Sequence, residues 1–150
     1  MLFTFHATEP MLVPPGSVRH VSFPVFGIDA PLAEVSVAVH VRHCAMDLLS
    51  LALVSPETQT VLLSAFQGGR ATSFGESEAR PLLFDDDGEA SITRALFPPL
   101  VGAYRPVGKL ATFRGLRPSV ANGYWHLVVM DVGRTDASAL VASAALVLRT

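Results

Sequence analysis

Cysteine is almost missing from this chain of 150 residues, which has one, Cys44. A single thiol closes no internal disulfide, so a core, and not covalent staples, has to hold the fold. Lysine is as scarce. Of the 11 basic residues only Lys109 is a lysine, and the arginines are scattered along the chain. With 13 acidic residues and a formal net charge of −2, no basic stripe forms for nucleic acid, and the balance calls for no acidic partner either. Charged residues make up only 16% of the chain and hydrophobic ones 50%, the composition of one globular domain and not of a disordered segment. No apolar run reaches the roughly 18 residues that span a bilayer. The opening MLFTFHATEP lacks a basic region followed by a long apolar stretch, so no Sec-type signal is read there. As encoded, the chain is expected in the cytoplasm, or outside it by a route the sequence does not display.

The usual catalytic spacings are absent too. There is no Gly-x-Ser-x-Gly elbow, P-loop, His-Glu-x-x-His helix or Cys/His zinc spacing. His40 and His43 are three residues apart in a β-patterned run, which turns them to opposite faces and prevents a shared metal. His6, His20, His40, His43 and His126 all read as surface or internally satisfied side chains. Cys44 reads as a small buried hydrophobe, since neighbouring His43 points away from it. No catalytic residue is assigned, and the chain is not expected to be an enzyme.

What the sequence does contain is period two. Val35, Val37, Val39 and Val41 alternate with Ser36, Ala38, His40 and Arg42, and β-branched residues at every second place favour a pleated strand. In ANGYWHLVVMD, Trp125, Leu127 and Val129 alternate with His126, Val128 and Met130, after the turn pair Asn122-Gly123 and before the acid Asp131. Further strands are predicted over 18–25, from Asp47 to Val54, over 61–66, at 82–84, at 110–113 and over 140–148. Ile92, Leu96 and Phe97 have the spacing of one helical turn before Pro98-Pro99. Pro10, Pro14 and Pro15 interrupt the first residues, so 1–17 is expected as an extended N-terminal arm and 18–150 as the domain. The fold class that follows is all-β: a jelly-roll-like antiparallel β-sandwich of about eight or nine strands.

Several of these pieces also occur in a familiar order. His43 stands at a strand end, followed by Asp47-Leu48 and by Leu53-Val54-Ser55-Pro56. Then come Leu83-Phe84-Asp85-Asp86, Tyr104-x-Pro106, Leu110-x-x-Phe113-x-Gly115 and Asn122-Gly123-x-Trp125-x-Leu127-x-Val129-x-Asp131. In this order the chain from Val18 onward resembles the P domain (P/Homo B domain) of kexin- and furin-like proprotein convertases and of bacterial secreted proteases. Three departures stand out. Thr58 occupies a place where the family usually has Gly, which implies a differently built turn. The Asp-Leu pair is one residue early, which implies a bulge or a shifted acid. The last strand lacks a Trp.

The resemblance implies a domain without catalytic residues that packs on a subtilisin-like protease and stabilises it. The expected partner is therefore another polypeptide or a second copy of the chain. It also implies that loop acids can converge on Ca²⁺, as in some P domains. The candidate calcium ligands are Asp47, Asp85, Asp86, Asp131 and Asp136, with Asp87 and Glu89 completing the one acid cluster. No other cofactor is expected. Phe23, Phe26, Phe66, Phe74 and Phe97 are candidates for an exposed interface patch, although packing is the commoner use of such residues. The alternative function is a lectin-like jelly roll that binds a ligand or carbohydrate, which one Trp and two Tyr support poorly.

Overall fold

A computed structural model describes residues 1–95 and 100–150. The expected turn at Leu96 and Phe97 therefore lies outside the described residues. Twelve strands are present: β1 (Leu2–His6), β2 (Met11–Val13), β3 (Val18–Val25), β4 (Glu34–Arg42), β5 (Leu49–Val54), β6 (Thr60–Ala65), β7 (Ser73–Phe74), β8 (Leu82–Phe84), β9 (Ala90–Ser91), β10 (Gly102–Arg105), β11 (Gly123–Asp131) and β12 (Ala139–Arg149). They form two sheets. Sheet A runs β1-β12-β4-β8-β10-β9, with β2 also on β12 and β7 on β4, and sheet B runs β3-β11-β5-β6.

The all-β sandwich is the fold that the alternation predicts, with two corrections. The strand count is higher because β1, β2, β7, β9 and β10 lie outside the predicted runs, and three of them are only two or three residues long and leave no periodic trace. Sheet A is mixed: β10 runs parallel to both β8 and β9, while the other pairs are antiparallel. Residues 1–17 carry β1 and β2, both hydrogen-bonded to the last strand.

The core lies between the sheets. Val35, Val37, Val39 and Val41 of β4 face Trp125, Leu127 and Val129 of β11 across it, all buried. Each such aliphatic side chain contributes roughly 1.5–3 kcal/mol by leaving water. Strand β12 joins this core despite having no Trp. A bulge between Val141 and Ser143 shifts its parity, so that Ala139 and Val141 point inward before it and Ala144, Leu146 and Leu148 after it.

Trp125 is fully buried, edge-on to Phe113 at 5.0 Å between ring centroids, and its indole N–H donates to the Ala121 carbonyl at 2.8 Å. Phe113 and Leu110 come from a 3₁₀ turn and not from the strand expected at 110–113. Their i, i+3 spacing puts both on one side of such a turn, and both are buried. Asn122 is more than a turn residue. Its amide bonds both the N–H and the carbonyl of Ile28 and also the Pro118 carbonyl, clamping the chain after β3 to the start of β11. Gly123 follows at φ 135°, where a Cβ would meet Pro56 at 3.1 Å.

The Ser55-Pro56 turn is not rebuilt as expected. Thr58 takes φ 66°, the left-handed conformation a Gly would supply, and donates its N–H to the Ser55 carbonyl at 2.9 Å. Asp47-Leu48 stands in a 3₁₀ turn (Met46–Leu48), so β5 begins only at Leu49. The bulge of this hairpin lies further on, opposite Leu51 and Ala52 of β5.

Candidate functional site

Two ionisable residues meet in the core. His43 takes the next inward position after Val35, Val37, Val39 and Val41, and Asp131 does the same after Trp125, Leu127 and Val129. His43 Nε2 and Asp131 Oδ2 stand 2.7 Å apart with side-chain exposures of 0% and 1%. The separation is that of an ion pair, without the alignment of a hydrogen bond, and His43 Nδ1 has no partner among the described residues. The other carboxylate oxygen, Oδ1, accepts the N–H groups of Gly16 at 3.2 Å and Gly133 at 2.6 Å. This carboxylate ties four segments together: the β2–β3 turn, the end of β4, β11 and the loop after it. The sequence marked His43 as a strand-end motif residue and Asp131 as an oxygen donor. It did not pair them, although extending the alternation by one step on each strand places both inside.

The other candidate acids are elsewhere. Asp85 accepts the Asp87 N–H on Oδ1 at 2.8 Å and the Ser36 hydroxyl on Oδ2 at 3.1 Å. Asp86 accepts the N–H groups of Leu110 and Ala111 at 2.9 and 2.8 Å, satisfying the free donors at the start of that 3₁₀ turn. Asp87 and Glu89 are exposed. Asp85 is thus held at Ser36 and Asp131 at His43, and these two anchors are about 23 Å apart along extended β4 at ~3.3 Å per residue. Asp47 lies near Asp131, in the turn before Leu49, whose strand partner is Asp131. Asp136 is exposed in the loop after β11. The structure therefore splits the five acids between two ends of the sandwich. Among the described residues no group of three or more His, Cys, Asp or Glu is placed to hold a metal.

Cys44 corrects its expectation: it is exposed, because β4 ends at Arg42 and the next residues turn outward. Its sulfur lies 3.7 Å from the Thr135 hydroxyl. Of the five phenylalanines, Phe23 and Phe74 are core, while Phe26 and Phe66 are 72% and 40% exposed. Those two lie at opposite ends of β11 and form no common patch, and Phe97 lies outside the described residues. Phe26 instead packs edge-on against Phe5 at 5.8 Å.

A second candidate site is the outward face of sheet B. On β11 it presents Tyr124, His126, Val128 and Met130, and on β3 it presents Val18, His20, Ser22 and Pro24. Strands β5 and β6 add Ser50, Ala52 and Val54, then Thr60, Leu62 and Ala65. Among the described residues no Asp, Glu, Lys or Arg occupies an outward position of this sheet, while Tyr124, Val18, Met130 and Leu62 are exposed. The outward side of sheet A differs, with Arg42 and an Arg149–Glu34 ion pair at 3.2 Å. The rings of His20 and His126 meet edge to face at 4.7 Å, and Ser22 Oγ lies 3.0 Å from His126 Nδ1. The His126 pKa is lowered, first by partial burial and then by the neighbouring His20. His40, on sheet A, is lowered by partial burial and then by Arg42.

No protein-family model matches the chain, and no curated protein matches it. Solved structures share its fold. The crystal structure of FlhE aligns over 98% of this chain and 95% of its own, at 9% identity and a TM-score of 0.51. The Aeromonas sobria serine protease, solved in complex with the chaperone ORF2, aligns over 99% of this chain but 27% of its own, at 15% identity and a TM-score of 0.48. The protease of Aeromonas sobria solved alone covers the same shares at a TM-score of 0.40. At these identities the likeness is one of fold.

Proposed function

We propose that this chain is a non-catalytic, P-domain-like β-sandwich module that docks on another polypeptide and stabilises it. The observation that carries the reading is the outward face of sheet B, which is broad, uncharged and exposes Tyr124, Leu62, Met130 and Val18. A sheet face without fixed charge that leaves several large side chains exposed is the kind of surface a partner covers. The placement of the reactive groups agrees with a scaffold: His43 and Asp131 are turned inward and engaged with each other. The lectin-like alternative gains nothing from Trp125, which is buried and so offers no stacking platform. Calcium plays no part in the proposal, because the candidate acids are divided between two ends and Asp85, Asp86 and Asp131 already accept internal donors.

Photo-crosslinking in cells tests the reading. A photoreactive residue at Tyr124 is expected to yield a covalent protein adduct, and one at Leu2 on sheet A, also more than half exposed, is not. Absence of any adduct from Tyr124, with the chain expressed and folded, would overturn it.

A further inference from the structure

We infer that the outward face of sheet B seats a second copy of this chain, face to face about a two-fold axis. The inference rests on the interaction-module reading and deepens it by naming the occupant. Three observations carry it.

The first is charge. A partner recognised by ion pairs would find no fixed charge at any outward position of the sheet, whereas an identical neutral face meets it without like-charge repulsion. The second is extent. The four strands run 8, 9, 6 and 6 residues, and at ~3.4 Å per residue and ~4.8 Å between strands they cover about 470 Å² per copy. Two copies give about 950 Å², at the lower edge of the ~1,000 Å² that a specific interface needs. The third is shape. All four strands carry outward side chains on this face, and sheet faces pack on one another at ~10 Å with their side chains interdigitated.

The seam would contain His20 and His126 of both copies. Around them, Glu9 shares a groove with His20, Ser22 bonds His126, and β5 and β6 contribute no titratable side chain. Protonation of His126 places a like charge from each copy in the seam, so the dimer weakens as pH falls.

Sedimentation velocity on the full chain tests this, with reductant present so that Cys44 cannot link two copies. The expected result at about pH 7.5 is a monomer–dimer equilibrium with Kd on the order of 10 μM, as suits a small interface. At about pH 5 it weakens at least tenfold. Met130→Glu and Leu62→Glu, both at exposed positions, are expected to give monomers that melt like the parent, and Leu12→Glu on sheet A is expected to leave the dimer intact. A monomer at every concentration up to about 1 mM overturns the second copy while leaving the docking reading to the crosslinking test. A dimer that survives Met130→Glu and Leu62→Glu, or that is lost in Leu12→Glu, also overturns it, since the seam then lies elsewhere.

Discussion

The two faces of β11 are written in the same nine letters and do opposite work. Inward, Trp125, Leu127, Val129 and Asp131 are sealed from water. Outward, Tyr124, His126, Val128 and Met130 stand partly or largely open. Neither face follows the simple division of apolar inside and charged outside. The inner one ends in a carboxylate, and the outer one has no fixed charge. The inner exception is tolerated because the acid has His43 and two backbone N–H groups around it. The outer exception has no internal partner that explains it, and for that reason the function is assigned there.

The comparison is broken most severely from the inside. Asp131→Ala is expected to cost about 3–5 kcal/mol in denaturant unfolding, because it strands His43 in the core and frees two N–H groups. His43→Ala should cost a similar amount, and the double variant less than the sum of the two. Additive losses would mean that the two side chains do not support each other. Asp86→Ala tests a carboxylate of the rim: it caps two N–H groups but is half-exposed, so about 1 kcal/mol is expected by the same measurement. A loss as large as that of Asp131 would erase the distinction between core and rim acids.

How much of this was legible depended on period. Strands β4 and β11 were readable because valines and Trp125 mark every second position. The same rhythm puts His43 on the face opposite His40 and Asp131 on the face of Trp125, but nothing in either run says that the two residues meet. The parallel β10 could not be read, since pairing direction leaves no mark in a four-residue strand. The 3₁₀ turn at Leu110–Phe113 has the letters of a strand because a short apolar run fits either. The missing contact between the acid groups was invisible for a different reason. Distance along β4 separates Ser36 from His43, and no spacing in the sequence encodes where Asp85 and Asp131 attach.

Smaller effects sharpen the picture. Thr58→Gly is expected to stabilise the β5–β6 hairpin by up to about 1 kcal/mol, since the left-handed backbone strains a β-branched residue and part of the gain returns as glycine's chain entropy. A loss on this substitution would mean that the threonine hydroxyl, which donates to the Glu57 carbonyl at 2.6 Å, matters more than the strain. Met130→Glu, next to Asp131 but on the other face, should change monomer stability by no more than about 0.5 kcal/mol. The smallest effect is one of pH. Folding holds His40 and His126 below their ordinary pKa, so the unfolded chain binds those protons more readily. Their contribution is complete above about pH 6.5 and is lost as pH falls through the lowered values. Thermal melts at concentrations too low for dimers should decline gently from about pH 7 to pH 5, and His126→Asn should decline less.

Strand β12 sits inside sheet A, with β1 and β2 on one flank and β4 on the other. It is also made after all of them. Until its eleven residues emerge, three earlier strands have an open ladder edge and half of the core lacks its cover. During synthesis those edges stay bare until β12 is made, and the nascent chain is most vulnerable to mispairing in that interval.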